Sequence, residues 1–249
     1  MKNILLLTST IRPKANQPQL RLVSPEERLK DYDEALRFYG RLLEKKVLDK
    51  IVYVDNSGYD LLFLKERHPS RDIEWISFYD LDYDPSFHRG YGEFRLIDHA
   101  FSHAETLSKV GDGDRIWKIT GRYKVKNLQR VIAMAPRCFD LYCNVHKGWA
   151  EMGFMAWSGT GYHCHIRDIW KLFATGRVPE LILAEKLNTL AHEHGKIVTT
   201  FFWPPFIVGR RGTDGGSFQG MLTPFRFGLE AGLKLLLFPI RRMTVDALL

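Results

Sequence analysis

The run "NILLLTST" (Asn3–Thr10) constrains this chain more than any other stretch. It is apolar without alternation and closes on polar residues. A strand of that kind is buried on both faces, as in a parallel sheet. "SPEERLKDYDEALRFYGRLLEK" follows, with Ser24 as N-cap, Pro25 at the first helical position and Glu27 three residues on, the pattern of a capped helix start. Leu29, Tyr32, Leu36, Tyr39 and Leu43 recur at helical spacing. The next strand is "KIVYVDN" (Lys50–Asn56). Strand, helix, strand makes a βαβ unit, which commits a chain to an α/β sheet with right-handed crossovers.

The alternation continues. "DIEWISFYD" reads as a third strand, "GYGEFRLIDHAFSHAETL" as a helix and "DRIWKIT" as a fourth strand. Beyond residue 125 the order changes. "CFDLYCNV" and "GFMAWSG" read as strands joined by a turn, "PELILAEKLNTLAHEHG" as a helix stopped by Gly195, and "KIVTTFFW" as a strand. "RRGTDGGSFQG" is a glycine-rich loop. The expectation is one α/β domain over residues 1–249, with a central mixed, mostly parallel sheet flanked by helices and a Rossmann-like N-terminal half. Residues 1–125 form its first half, 126–223 its second and 224–249 an amphipathic basic tail.

With 249 residues, 45% hydrophobic and 13% aromatic, the chain is too rich in core formers for disorder. Its formal charge of +7 favours acidic partners. The basic residues are scattered, however, with Arg-Arg pairs only at Arg210-Arg211 and Arg241-Arg242, so a nucleic-acid face is not expected. Three cysteines without framework spacing suit a reducing, cytoplasmic compartment. The apolar start is too short for a signal peptide, and no window approaches the ~18 apolar residues a membrane span needs.

In open α/β sheets ligands bind outside the carboxyl ends of the strands. Three strands here end in polar residues: Thr8-Ser9-Thr10, Asp55-Asn56-Ser57-Gly58 and Thr120-Gly121-Arg122. Asp55 either accepts hydrogen bonds from a ligand or caps its own turn. No G-x-x-x-x-G-K-[ST] is present, and no G-x-G-x-x-G follows the first strand. "RGYGEF" (Arg89–Phe94) is a fragment of such a loop, but after the third strand.

The order of these pieces resembles the nucleotide-sugar-dependent glycosyltransferases of the GT-A type, of the sort that build bacterial surface polysaccharides such as lipopolysaccharide or capsule. "VDNSGYD" (Val54–Asp60) is similar to that family's "VDDGSxD", and "HRGYGEFRLIDHA" (His88–Ala100) occupies the place of its "NxGxxxAxNxG". The resemblance covers residues 3–125 by motif and 150–200 by order. It implies a base and ribose near Thr8, Thr10, Asp55 and Asn56. It also implies an inverting, hexosyltransferase-like reaction onto a glycan or lipid-linked acceptor.

The chain departs from the family where an Asp-x-Asp would hold a metal and the donor diphosphate. It has "KITGRY" (Lys118–Tyr123) there. Mg²⁺ or Mn²⁺ needs hard oxygen ligands, which Asp80, Asp82 and Asp84, or Asp112 and Asp114, could supply. In the metal-free alternative Arg122, with Lys118 and Arg95, neutralises the leaving phosphate as fixed cations.

Inverting transfer needs a carboxylate to take the acceptor's proton. Glu180, near a helix start, is the first candidate, with Glu185 and Asp214 as others. In a strand, His163 and His165 would share a face and could hold zinc, but no third ligand is evident beyond His146. A nucleotidyltransferase is the competing enzyme class. It calls for a glycine-rich basic loop after the first strand, whereas "TSTIRPKAN" (Thr8–Asn16) has Arg12 and Lys14 but no glycine. The tail from Pro224 combines apolar residues with Arg226, Lys234, Arg241 and Arg242, and could lie on an anionic membrane surface.

Overall fold

The computed structural model describes residues 1–14, 20–84, 86–193, 195–212 and 216. The first apolar run forms β1 (Asn3–Ser9) at the centre of a seven-stranded sheet. Its alternate side chains feed two cores. Leu5 and Leu7 pack on one face beneath α1 (Pro25–Glu44); Ile4 and Leu6 pack on the other, beneath α3 (Arg89–His103). This two-sided burial is why the run does not alternate. α1 begins as its sequence requires, with Ser24 Oγ accepting from Glu27 N, and it buries Tyr32, Leu36, Tyr39 and Leu43.

β2 (Lys50–Asp55) lies parallel to β1, and β3 (Ile73–Ser77) parallel to β2. Between them is the short helix α2 (Leu62–Arg67), whose Leu62 N donates to Asp60 Oδ1 at 2.9 Å. The expected second long helix is in fact two, α3 and α4 (Glu105–Ser108). The break is at Ala104, whose backbone is extended, and Glu74 accepts from both Glu105 N and Thr106 N beyond it. β4 (Arg115–Thr120) runs parallel to β1 on its other side.

After β4 the sheet becomes mixed. The two-residue strand β5 (Lys124–Val125) leads to α5 (Leu128–Met134). β6 (Leu141–His146) and β7 (Trp149–Trp157) form a hairpin. Its turn residues Lys147 and Gly148 both have positive φ, as a tight hairpin turn with matching twist demands. β7 inserts antiparallel beside β4, giving the order β3-β2-β1-β4-β7-β6 and then β8 (Ile197–Val198).

The chain then forms a single short turn, α6 (Gly159–Gly161), a π-helical turn over Tyr162–Ile166 and a 3₁₀ turn over Ile169–Phe173 before α7 (Pro179–Glu193). His163 and His165 therefore lie on a helical turn, not on one strand face, and the zinc arrangement loses its basis. The strand expected over "KIVTTFFW" is only two residues long. It gives way to Phe201, which is buried, and to Pro204 and Pro205, which cannot donate to a ladder. β9 (Ile207–Val208) closes a two-stranded sheet with β5. The tail from Pro224 lies outside the described residues. Among the described residues no helix is long and apolar enough to cross a membrane.

Candidate active site

The three polar strand ends come together as expected. Ser9 is in register with Asp55, and Thr8 with Thr120. Gly121 N donates to Thr8 O at 2.8 Å, and a Cβ on Gly121 would meet that same oxygen at 2.8 Å. Only glycine allows so close an approach of the turn after β4 to the end of β1.

Asp55 is wholly buried. Its Oδ1 accepts from Ser57 N and Ser57 Oγ, and its Oδ2 from Ile11 N and Ser9 Oγ, at 2.5–2.9 Å. Burial pushes its carboxyl up, against these four donors. The residue thus ties the loop after β1 to the loop after β2. Asn56 is buried as well, and Thr10 Oγ1 donates to its Oδ1 at 2.6 Å. Of the expected base and ribose contacts, Asp55 and Asn56 brace the loops, while the part-exposed Thr10 lies nearer their surface.

The centre of the cleft is a residue the sequence reading did not single out. Glu93, in the second turn of α3, reaches down onto the strand ends. Its Oε1 accepts from Thr8 Oγ1 at 2.7 Å and Thr120 Oγ1 at 3.1 Å, and lies 2.6 Å from Lys118 Nζ. Burial would raise this carboxyl, but the Lys118 ammonium and the two hydroxyls hold it below its usual value. Lys118 is fully buried, and its ammonium also donates to Met152 O at 2.6 Å and approaches Thr120 Oγ1 at 3.5 Å. With its donors so committed, Lys118 reaches the cleft through Glu93 and does not itself present a charge to a phosphate. A lysine in the middle of the apolar strand "RIWKIT" was the available signal, since such an ammonium needs a buried carboxylate.

Two helix starts converge above these residues. A Cβ on Gly90 would meet Pro179 Cβ at 2.8 Å and Met152 Cε at 2.9 Å. Glycine at that position lets the first turns of α3 and α7 pack together. The contact sets Arg89 and His88 beside Glu180, which senses both electrostatically. Glu180 is partly buried; burial pushes its carboxyl up and the Glu93 charge adds to this, against Arg89 and His88. Glu151, on β7, is raised for the same first reason and feels both Lys118 and Glu180. It too was missed from sequence.

Arg122 is at the cleft edge, 9% exposed. Its Nε donates to Arg210 O at 3.0 Å, its Nη2 contacts Tyr123 Oη at 3.4 Å, and its guanidinium lies over the Tyr123 ring. Arg95 is further out, pairing with Asp80 at 2.6 Å between the Tyr91 and Trp170 rings. Asp82 pairs with Lys14 and accepts from Tyr79 Oη. Glu185 projects to solvent and pairs with Arg177, so it does not join Glu180. Asp112 and Asp114 are at the opposite end of the sheet, where Asp114 accepts from Lys2 N. Asp214 lies outside the described residues. Among the described residues no group of three or more His, Cys, Asp or Glu side chains is placed to hold a metal ion.

No family model matches this chain, and no curated protein does. Solved structures do align with it. One is described as a nucleotide-diphospho-sugar transferase from Desulfovibrio desulfuricans, with 12% identity and a TM-score of 0.47, covering 77% of this chain and 78% of that one. Another is the inositol-1-phosphate CTP transferase from T. maritima, at 13% and 0.48, covering 92% and 94%. A third is a 4-diphosphocytidyl-2C-methyl-D-erythritol synthase, at 11% and 0.38, covering 95% and 100%. At these values the functional conclusion has to come from the cleft's own residues.

Proposed function

We propose that the chain transfers a sugar from a nucleotide-sugar donor to a hydroxyl of a glycan or lipid-linked acceptor, as in the assembly of a surface polysaccharide. The observation that carries this reading is the placement of Glu180. Its carboxyl is partly buried at the start of α7, beside Arg89 and across from Glu93 at the strand ends. A base there can take the acceptor's proton while the acceptor oxygen attacks the anomeric carbon. The bond from that carbon to the donor diphosphate breaks, the nucleoside diphosphate leaves, and the anomeric centre inverts.

The loops after β1 and β2, braced by Asp55, supply the walls for the base and ribose. Thr10 on the first and the Arg12–Tyr59 pair across both are the surface groups available to them.

Nucleotidyl transfer is the second reading, because Arg12 and Lys14 lie on the loop after β1. Lys14 is paired with Asp82 and Arg12 lies over Tyr59, which favours sugar transfer. Titration calorimetry with UDP, GDP and CMP, set against oligonucleotides, tests the nucleotide site. Binding of a mononucleotide and not of oligonucleotides is expected. The reverse preference would turn the assignment towards nucleic acid.

A further inference from the structure

Two guanidiniums meet in this cleft without a carboxylate paired to either among the described residues. The tips of Arg122 and Arg89 lie 2.8 Å and 3.3 Å from the point that a Cβ on Gly212 would occupy. Arg122 spends its Nε on a backbone carbonyl and its Nη2 on the Tyr123 hydroxyl, which leaves Nη1 without a partner among the described residues. Arg89 makes no hydrogen bond or ion pair among them.

Among the described residues, the charges facing the pair are those of Glu93, Glu180 and His88. Glu93 is neutralised by Lys118. Burial, and then the Glu93 charge, raise the Glu180 carboxyl, and His88 adds no negative charge. Burial and the charge of Arg122 both press the Arg89 pKa down. Two adjacent, largely desolvated guanidiniums without an ion pair among the described residues are costly unless an anion joins them. Their planar donors fit phosphate oxygens two at a time.

The wall behind them is fixed. Arg210 grips Asp31 through Nε and Nη2 at 3.0–3.3 Å, and Gly212 O accepts from Arg21 N at 2.9 Å. Glycine at 212 leaves the two tips uncovered by a side chain.

We propose that Arg89 and Arg122 together form the subsite for the donor's diphosphate and carry its charge as fixed cations as it leaves. This rests on the nucleotide-sugar reading above. Arg89 is the new element, because it brings the second guanidinium from α3 to the one expected after β4.

Calorimetry in EDTA tests it, using UDP, GDP, their nucleosides and inorganic pyrophosphate on the full chain. Wild type should bind a nucleoside diphosphate, with pyrophosphate competing. Arg89→Gln and Arg122→Gln should each weaken it about tenfold or more, the loss of one charged hydrogen bond. Nucleoside affinity should not change, which also reports an intact fold. Arg89 is the more exposed of the two, so its variant keeps the test alive if Arg122→Gln misfolds. Unchanged diphosphate affinity in Arg89→Gln, or loss of wild-type binding in EDTA alone, overturns the proposal. Should neither nucleosides nor diphosphates bind wild type with or without metal, the nucleotide-sugar reading itself falls.

Discussion

Lys118 Nζ lies 2.6 Å from Glu93 Oε1, and the lysine is fully buried. The pair ties β4 to α3 and fixes the carboxylate at the strand ends. Removing one partner of such a pair leaves an uncompensated charge. Glu93→Gln should therefore cost about 3 kcal/mol of stability, read from urea denaturation. The linkage has a sign. Glu93 is depressed in the folded state, so its contribution is present above its unfolded pKa and is lost as pH falls through the folded value. The variant should lose less stability than wild type on acidification. An unchanged midpoint in Glu93→Gln would show that the pair does not hold the site.

Asp55 is expected to act on the loops. Asp55→Ala strands Ile11 N, Ser57 N and two hydroxyls. Unsatisfied buried donors make a loss of about 3 kcal/mol the expectation, checked by thermal or chemical melting. A wild-type melting curve, with only nucleotide affinity reduced, would return Asp55 to direct ligand contact.

Glu180 can act as base only when ionised. Its carboxyl is raised by burial, so transfer should fall as pH drops through that raised value. The acid limb of kcat/KM should then lie above the ordinary glutamate value of about 4.3. Glu180→Gln should lower kcat by roughly 10²–10⁴, abolish that limb and leave donor affinity intact. A variant with near-normal turnover would remove Glu180 from the mechanism.

Gly161 tests the packing around the turn after β7. A Cβ there would overlap the Asp140 backbone, with its carbonyl oxygen only 1.6 Å away. Overpacking against backbone cannot be relieved by a rotamer change. Gly161→Ala should cost about 3 kcal/mol or more, seen as a lowered melting temperature. An unaltered melting temperature would mean that this contact is softer than the structure shows.

The sheet's core was legible because its signal is local. "NILLLTST" and "KIVYVDN" each carry an unbroken apolar run, "DRIWKIT" one broken only by Lys118, and each became a buried strand. α2 and α5 were not foreseen, since six or seven residues carry too few turns to show a period. The polar strand ends were also legible, and the structure adds the register that sets Ser9 beside Asp55. The roles of individual side chains there were less so. Glu93 and Lys118 are far apart in sequence, and only the docking of α3 over β4 makes them partners. Arg89 sits in the quoted fragment "RGYGEF", but its neighbour Arg122 arrives from another element. Glu180 and Glu185 showed the opposite case. Five residues apart on one helix, they face different ways, and the structure keeps only Glu180 in the cleft.

The central claim is sugar transfer from a nucleotide donor. Its most direct test follows phosphorus by ³¹P NMR while the full chain is incubated with nucleotide sugars and a glycan or lipid-linked acceptor extract. A parallel sample holds nucleoside triphosphates and sugar phosphates. The account predicts release of a nucleoside diphosphate in the first sample, at a rate that collapses in Glu180→Gln. Release of pyrophosphate in the second sample, with nucleotide sugars untouched in the first, would contradict it and establish nucleotidyl transfer instead.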